Sequence, residues 1–205
     1  MVNSRAKVLG IAVFCITVIL LMGVLGGPSN AIDDAIVRSL AEWRAANPGM
    51  EELAASITHV GGGAVLLTAS GLASIGLLVR KRYRDTILLL LATAGGRLMI
   101  ELIKLIVERP RPSFEEHPVY TTNHAFPSGH AGNTTMTFLA MAWFCSPPEY
   151  RRTNLVIGAV GAVLVGLTRP VLGVHWPSDI LAGWALGVAW VAILVRFSER
   201  GAAPA

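Results

Sequence analysis

Two histidines, a carboxylate and three cations carry the reactive chemistry of this sequence. His175 and Asp179 are four residues apart. At that spacing a carboxylate can hold one imidazole nitrogen and leave the other with a free lone pair, as an activated nucleophile or base requires. A lone His–Asp pair also occurs as plain packing, so its meaning depends on its company. A second stretch, Phe126 to Gly132, reads Phe-Pro-Ser-Gly-His-Ala-Gly and lies where a polar loop meets an apolar run. Pro127 disfavours helix at Phe126. Ser128 is an N-cap for a helix over 131–144. A helix opening on Ser128, Gly129 and His130 offers backbone N–H groups, a hydroxyl and an imidazole at its positive end, a seat for phosphate. Gly129 lets a ligand approach the backbone closely. The same stretch also reads as an ordinary loop-to-helix junction. The third group is Lys104 and Arg111, seven residues apart, which share a helix face two turns apart if the helix continues. Pro110 interrupts such a projection, and Arg109 would point elsewhere. The last cation, Arg169, follows Thr168 and precedes His175.

The elements that must position these residues are apolar. The chain has 205 residues, 53% hydrophobic and 15% charged, with a mean hydropathy of +0.58. That balance excludes an ordinary soluble domain. Cys15 and Cys145 both fall in apolar runs and suggest neither a disulfide framework nor a metal site. The net charge of +4 fits basic cytoplasmic loops of a membrane protein and does not call for nucleic acid. No repeat or linker divides the chain, so residues 1–205 are expected to form one domain.

The expected fold is all-α, a bundle of six transmembrane helices with a short amphipathic outer segment between the first two spans. Val8 to Leu25 is long enough to span; a secretory leader ending near Ser29-Asn30-Ala31 is the rival reading. Ile32, Ile36, Leu40 and Trp43 recur at helical spacing, interleaved with Asp33, Asp34, Arg38, Glu42 and Arg44, as in an interfacial helix. Asn47-Pro48-Gly49 breaks it. A helix from near Met50 through Gly61 to Val79 forms the second span, with His59 at its outer end as a packed or interfacial residue. The remaining spans are expected over Thr86–Ile106, Gly129–Cys145, Leu155–Leu167 and Asp179–Val195. Within the third, Arg97 and Glu101 are placed to form an i,i+4 ion pair.

Charge bias orients the bundle. With the N-terminus inside, the inner segments hold Arg5, Lys7, Arg80, Lys81, Arg82, Arg84, Arg151, Arg152, Arg196 and Arg200 of the 17 basic residues, as the positive-inside rule requires. Residues 104–130 and 168–179 then face the same outer water at the same membrane depth.

Lys104, Arg111 and Pro112; Pro127 to His130; and Thr168, Arg169, His175 and Asp179 together resemble, in order and spacing, the three-part signature of the type 2 phosphatidic acid phosphatase superfamily. The six-span layout resembles the small bacterial integral-membrane members over nearly the whole chain. The family pattern usually has Ser where Thr168 stands. The resemblance implies that His175 attacks phosphorus, forming a phosphohistidine, and that Asp179 orients and polarises it. His130 would protonate the leaving oxygen and then activate water. Lys104, Arg111, Arg169, Ser128 and Gly129 would clamp the phosphoryl oxygens. Phosphoryl transfer depends mainly on positioning and charge neutralisation, so three side-chain cations can take the role Mg²⁺ has elsewhere. No metal and no cofactor are expected. Glu115, Glu116, His117 and His124 are expected to be solvated loop residues.

The expected substrate is a phosphorylated membrane lipid: undecaprenyl diphosphate, phosphatidylglycerol phosphate, phosphatidate or diacylglycerol pyrophosphate, the first two favoured. The expected location is the bacterial plasma membrane, both termini cytoplasmic and the site facing outward. Rival readings are a lipid phosphotransferase with the same phosphohistidine, a vanadate-binding haloperoxidase of related fold, disfavoured by the spans, and a non-enzymatic membrane protein. Oligomeric state and substrate choice are not legible.

Overall fold

The computed structural model describes residues 4–28, 30–113 and 124–200. Glu115, Glu116 and His117 lie outside these residues. The described chain is helical, without strands. Its elements are α1 (Ser4–Leu25), α2 (Ala31–Ala46), α3 (Pro48–Val60), α4 (Gly63–Val79), α5 (Tyr83–Leu90), a π segment (Leu91–Gly95), α6 (Gly96–Val107), α7 (Gly129–Phe144), α8 (Pro148–Val171) and α9 (Pro177–Arg200). Among the described residues, four stretches are long and apolar enough to cross a membrane: Pro48–Val79, Tyr83–Val107, Pro148–Val171 and Pro177–Glu199. Gly10–Leu25 is a shorter apolar helix.

α7 is the hub. It packs on α4, α5, α6, α8 and α9, and Met136, Ala140 and Phe144 meet Leu89, Ile100 and Leu186 in the main core. This explains why α7 has a modest apolar content: its Thr134, Thr135 and Thr137 are buried against protein, and Thr135 Oγ1 donates to Ala131 O at 2.7 Å. Bulky apolar side chains face outward elsewhere, such as Phe14, Leu72 and Ile157, as lipid contact requires. α9 approaches α7 at small residues. A Cβ at Gly183 would lie 2.8 Å from Ser128 O, and one at Gly187 2.6 Å from Thr135 Cβ, so only glycine allows this backbone distance.

Four sequence expectations change. The helix from Met50 to Val79 is two helices, α3 and α4, parted at Gly61-Gly62. A side chain at Gly61 would meet Val165 and Thr134 within 3 Å, so the chain turns there tightly against its neighbours. The helix expected over Thr86–Ile106 contains the π segment, whose extra residue rotates α6 relative to α5 and helps set which face carries Ile100 and Lys104. The helix expected at Leu155–Leu167 is longer: α8 takes in Arg151 and Arg152 at its start and Thr168 and Arg169 in its last turn. Finally, Glu101 pairs with Lys104, Nζ to Oε1 3.5 Å, and no Arg97–Glu101 bridge forms among the described residues. Lys104, deeply buried, offers the stronger need for a partner.

The amphipathic segment α2 also departs from a free polar face. Asp33 and Arg44 are buried. Arg44 Nη1 donates to Val171 O at 2.7 Å, tying α2 to the end of α8.

Candidate active site

Three sequence-distant segments converge at one end of the bundle. α6 stops at Val107, and Glu108 takes a left-handed conformation (φ 48°). The chain beyond is without regular secondary structure, so Arg111 reaches its position along a strap and not along a continued helix face. The strap is fastened to the α8–α9 loop. Trp176 Nε1 donates to Pro110 O at 2.9 Å, and Arg111 Nη1 donates to Val174 O at 2.6 Å. Ser128 caps α7 as its type demands, accepting from Ala131 N at 3.4 Å, and its own N–H donates to Asp179 O at 3.0 Å. Pro177 opens α9, where its fixed φ suits the first turn.

His175 is the centre of this arrangement. Its Nδ1 lies 3.3 Å from Asp179 Oδ2, and the same oxygen accepts from Trp176 N at 2.9 Å. Asp179 is 0% exposed and His175 2%. A carboxylate on Nδ1 makes that nitrogen the proton-bearing one and leaves Nε2 with its lone pair, an acceptor for the Arg111 guanidinium. Nε2 faces Arg111 Nη1 at 3.1 Å. Burial, then the guanidinium groups of Arg111 and Arg169, Lys104 and His130 hold the imidazole well below its ordinary titration range. The uncharged imidazole is therefore the favoured form of His175 in this setting. Burial also lowers the Arg111 guanidinium from its usual range.

The other cations surround it. Lys104 Nζ lies 3.4 Å from where a Gly129 side chain would begin, so the α7 N-terminus and the ammonium face one space. Arg169, 3% exposed, donates from Nη1 to Thr58 Oγ1 at 2.9 Å; its Nε has no partner, and among the described residues it forms no ion pair. His130, half-buried on the first turn of α7, has its ring against Gly61. All eight residues expected from sequence, His175, His130, Asp179, Lys104, Arg111, Ser128, Gly129 and Arg169, thus lie at this end of the bundle, on the converging segments. Thr168 turns its hydroxyl to Val165 O at 2.6 Å, a bond within its own helix that Ser would also make.

The chain belongs to the PAP2 superfamily. The family profile, described as "PAP2 superfamily", matches residues 85–202, which hold all three motifs. Among curated relatives, phosphatidylglycerophosphatase B of Bacillus subtilis (strain 168) is 29% identical over 195 residues, covering 93% of this chain and 95% of the relative. Decaprenylphosphoryl-5-phosphoribose phosphatase of Mycobacterium tuberculosis (strain H37Rv) is 34% identical over 157 residues, covering 72% and 80%. Undecaprenyl-diphosphatase of Sulfolobus acidocaldarius is 32% identical over 137 residues, covering 61% of each. The crystal structure of a transmembrane PAP2-type phosphatidylglycerolphosphate phosphatase from Bacillus subtilis superposes with a TM-score of 0.81 at 29% identity, over 95% of this chain and 96% of that one. With the apolar helices described above, this makes the protein a multi-pass membrane member of the superfamily.

Sequence reasoning missed the residues that hold this PAP2 site in shape. Arg109 is the foremost. Nη1 donates to Asp179 Oδ1 at 2.8 Å and to Ser178 Oγ at 3.0 Å. Nη2 donates to Met22 O at 2.7 Å and Gly23 O at 2.8 Å, and the guanidinium lies 4.4 Å over the Phe126 ring. Asp33 is the second: it accepts from Gly27 N at 2.7 Å and from Ser178 N at 3.0 Å, and from the Ser178 hydroxyl. The helix projection had Arg109 pointing elsewhere, whereas it turns onto Ser178 and Asp179; nothing in the sequence marked Asp33 beyond its place in the first turn of α2.

Proposed function

We propose that the protein is an integral-membrane lipid phosphatase that hydrolyses a phosphomonoester or diphosphate on a lipid through a phosphohistidine at His175. The observation that carries this reading is a buried imidazole with Asp179 on one nitrogen and Arg111 on the other, set beside Lys104, Arg169 and the start of α7. Arriving phosphoryl oxygens would draw Arg111 away from Nε2 and engage Lys104, Arg169, the Ser128 hydroxyl and the Gly129 amide. The Nε2 lone pair then attacks phosphorus as the bond to the lipid oxygen breaks, and His130 gives that oxygen a proton. In the second step a water oxygen attacks phosphorus, its proton passes to His130, and the P–N bond breaks to release phosphate and free His175. Asp179 stabilises the positive charge that His175 acquires. The cations neutralise charge on the equatorial oxygens throughout, so the reaction proceeds without a metal.

The substrate enters this reading through the relatives' names, which concern phosphatidylglycerophosphate, undecaprenyl diphosphate and a decaprenylphosphoryl sugar phosphate. A phosphate on a membrane lipid is common to all three. Phosphatidylglycerol phosphate and undecaprenyl diphosphate lead the panel, with phosphatidate and diacylglycerol pyrophosphate behind. We also hold to six spans, α1, α3–α4, α5–α6, α7, α8 and α9, with both termini cytoplasmic and the site facing outward, in the plasma membrane. External cysteine labelling at His124→Cys against Lys81→Cys tests the orientation: only the first should label.

The deciding experiment is phosphate release from the four lipids by purified protein in detergent with EDTA, wild type beside His175→Ala. Wild type should release phosphate, and the variant should lose on the order of 10⁴-fold or more, as when a nucleophile is removed. A base-stable, acid-labile phosphate label should form on wild type alone. Full activity in His175→Ala overturns the mechanism, and reversible loss in EDTA overturns metal independence. A phosphorylated acceptor lipid in place of free phosphate would make the enzyme a transferase.

A further inference from the structure

At the far end of α7 and α8 from His175 lies a groove of about 520 Å³ with no part in the chemistry above. Leu139, Leu155, Val156 and Ala159 form its apolar wall, and Trp143, Arg151 and Arg152 border it. Trp143 is thirteen residues beyond His130 on α7, so the groove sits about 20 Å from the reaction site at helical rise.

The charges here are not balanced by protein. The Arg151 guanidinium lies 4.6 Å over the Trp143 ring, and its Nε is buried without a hydrogen-bond partner. Among the described residues, no carboxylate pairs with Arg151 or with the exposed Arg152. Asp85 and Glu199, which share a neighbouring cavity with Arg151, are bonded instead to Arg82 at 2.9 Å and Arg196 at 3.1 Å. Glu149, one turn earlier on α8, is exposed. An apolar channel on the lipid-facing side of two helices, ending at a tryptophan and two uncompensated arginines, has the form of an acyl chain leading to an anionic head group.

We infer that the α7–α8 groove binds one anionic phospholipid, its phosphodiester on Arg151 and Arg152 and one acyl chain along Leu139, Leu155 and Ala159. The net negative head group is required. A zwitterionic lipid would bring an ammonium group toward the same guanidinium groups and gain less.

Native mass spectrometry of the detergent-purified full chain tests this, with phosphatidylglycerol and phosphatidylcholine of identical chains as probes. Wild type should retain one phosphatidylglycerol and about tenfold less phosphatidylcholine. Arg151→Gln with Arg152→Gln should lower phosphatidylglycerol retention about tenfold or more, each arginine near an anionic head group being worth roughly fivefold. Ala159→Phe, which fills the groove and leaves the charges in place, should lower it similarly and serves if the double variant fails to fold. Arg169→Ala should leave it unchanged, which separates this lipid from one held at the reaction site. Phosphate release in detergent should persist in both groove variants. Equal retention of the two lipids, undiminished retention in both groove variants, or loss with Arg169→Ala overturns the proposal. So does a protein dimer that Ala159→Phe dissolves without changing lipid retention, since a second copy would then be the occupant.

Discussion

Arg109 and Arg169 are both buried guanidinium groups at the same end of the bundle, and their surroundings are opposite. Arg109 donates to a carboxylate, a hydroxyl and two carbonyls and rests on an aromatic ring. It has little left to offer a ligand. Arg169 has one hydroxyl, Thr58 Oγ1, and a buried Nε with no acceptor. A buried charge without a counter-ion is costly unless function maintains it. The comparison separates a cation saturated by protein partners from one whose buried donors are only partly met, although both lie in Arg-Pro contexts in the sequence.

Truncation should split the two. Arg109→Ala leaves Asp179 buried without its ion-pair partner and should cost on the order of 3–5 kcal/mol of stability, read as a lowered thermal midpoint in detergent. Activity should fall with it, because Asp179 orients His175. Arg169→Ala should do the reverse. Phosphate release should drop by about 10²–10³-fold, the usual loss for one group stabilising transition-state charge, with the thermal midpoint unchanged or raised. If both variants lose stability alike, the distinction between them fails.

Asp33 sharpens the same contrast from the carboxylate side. It touches no reactive group, yet it fixes Ser178 beside Asp179. Asp33→Ala should cost about 1–3 kcal/mol by leaving buried donors unpaired, with a fall in kcal-equivalent activity smaller than that of Arg169→Ala. A stability loss near zero would make α2 a loosely docked surface helix.

The smallest effect concerns protonation of His175. Its folded pKa is depressed, while the unfolded chain takes up that proton near pH 6.5. Below that value the unfolded state binds the extra proton and the folded state does not, so stability falls as pH drops. Wild type should therefore lose more thermal midpoint than His175→Gln between pH 7 and 5. Parallel profiles would mean that His175 titrates normally in the folded protein.

The helices, and the gathering of the eight candidate residues at one end of the bundle, were legible because each rests on a local signal. Apolar run length marks spans, Ser128 and Pro177 mark helix starts, and spacing marks the His175–Asp179 pair. Residues such as Asp33, Arg44 and Arg109 were not legible, because a polar residue looks the same whether it meets water or a buried partner. Arg97 and Glu101 show the converse. Their i,i+4 spacing permitted a pair, but Lys104, i+3 from Glu101 and more deeply buried, took the carboxylate. The break at Gly61-Gly62 also required the neighbours, since it follows from how closely Val165 and Thr134 approach.

By itself the sequence determined which groups are available for chemistry and on which elements they ride: two imidazoles, one carboxylate and three cations at the ends of apolar helices. Those are properties of side-chain type and short-range spacing, which a linear reading carries. Tertiary structure alone decided which buried charges are saturated and which remain open. That depends on partners about 70 to 145 residues apart, such as Arg109 with Asp179 and Asp33 with Ser178, and only the packing of α1, α2 and α9 around the strap after α6 brings them within bonding distance.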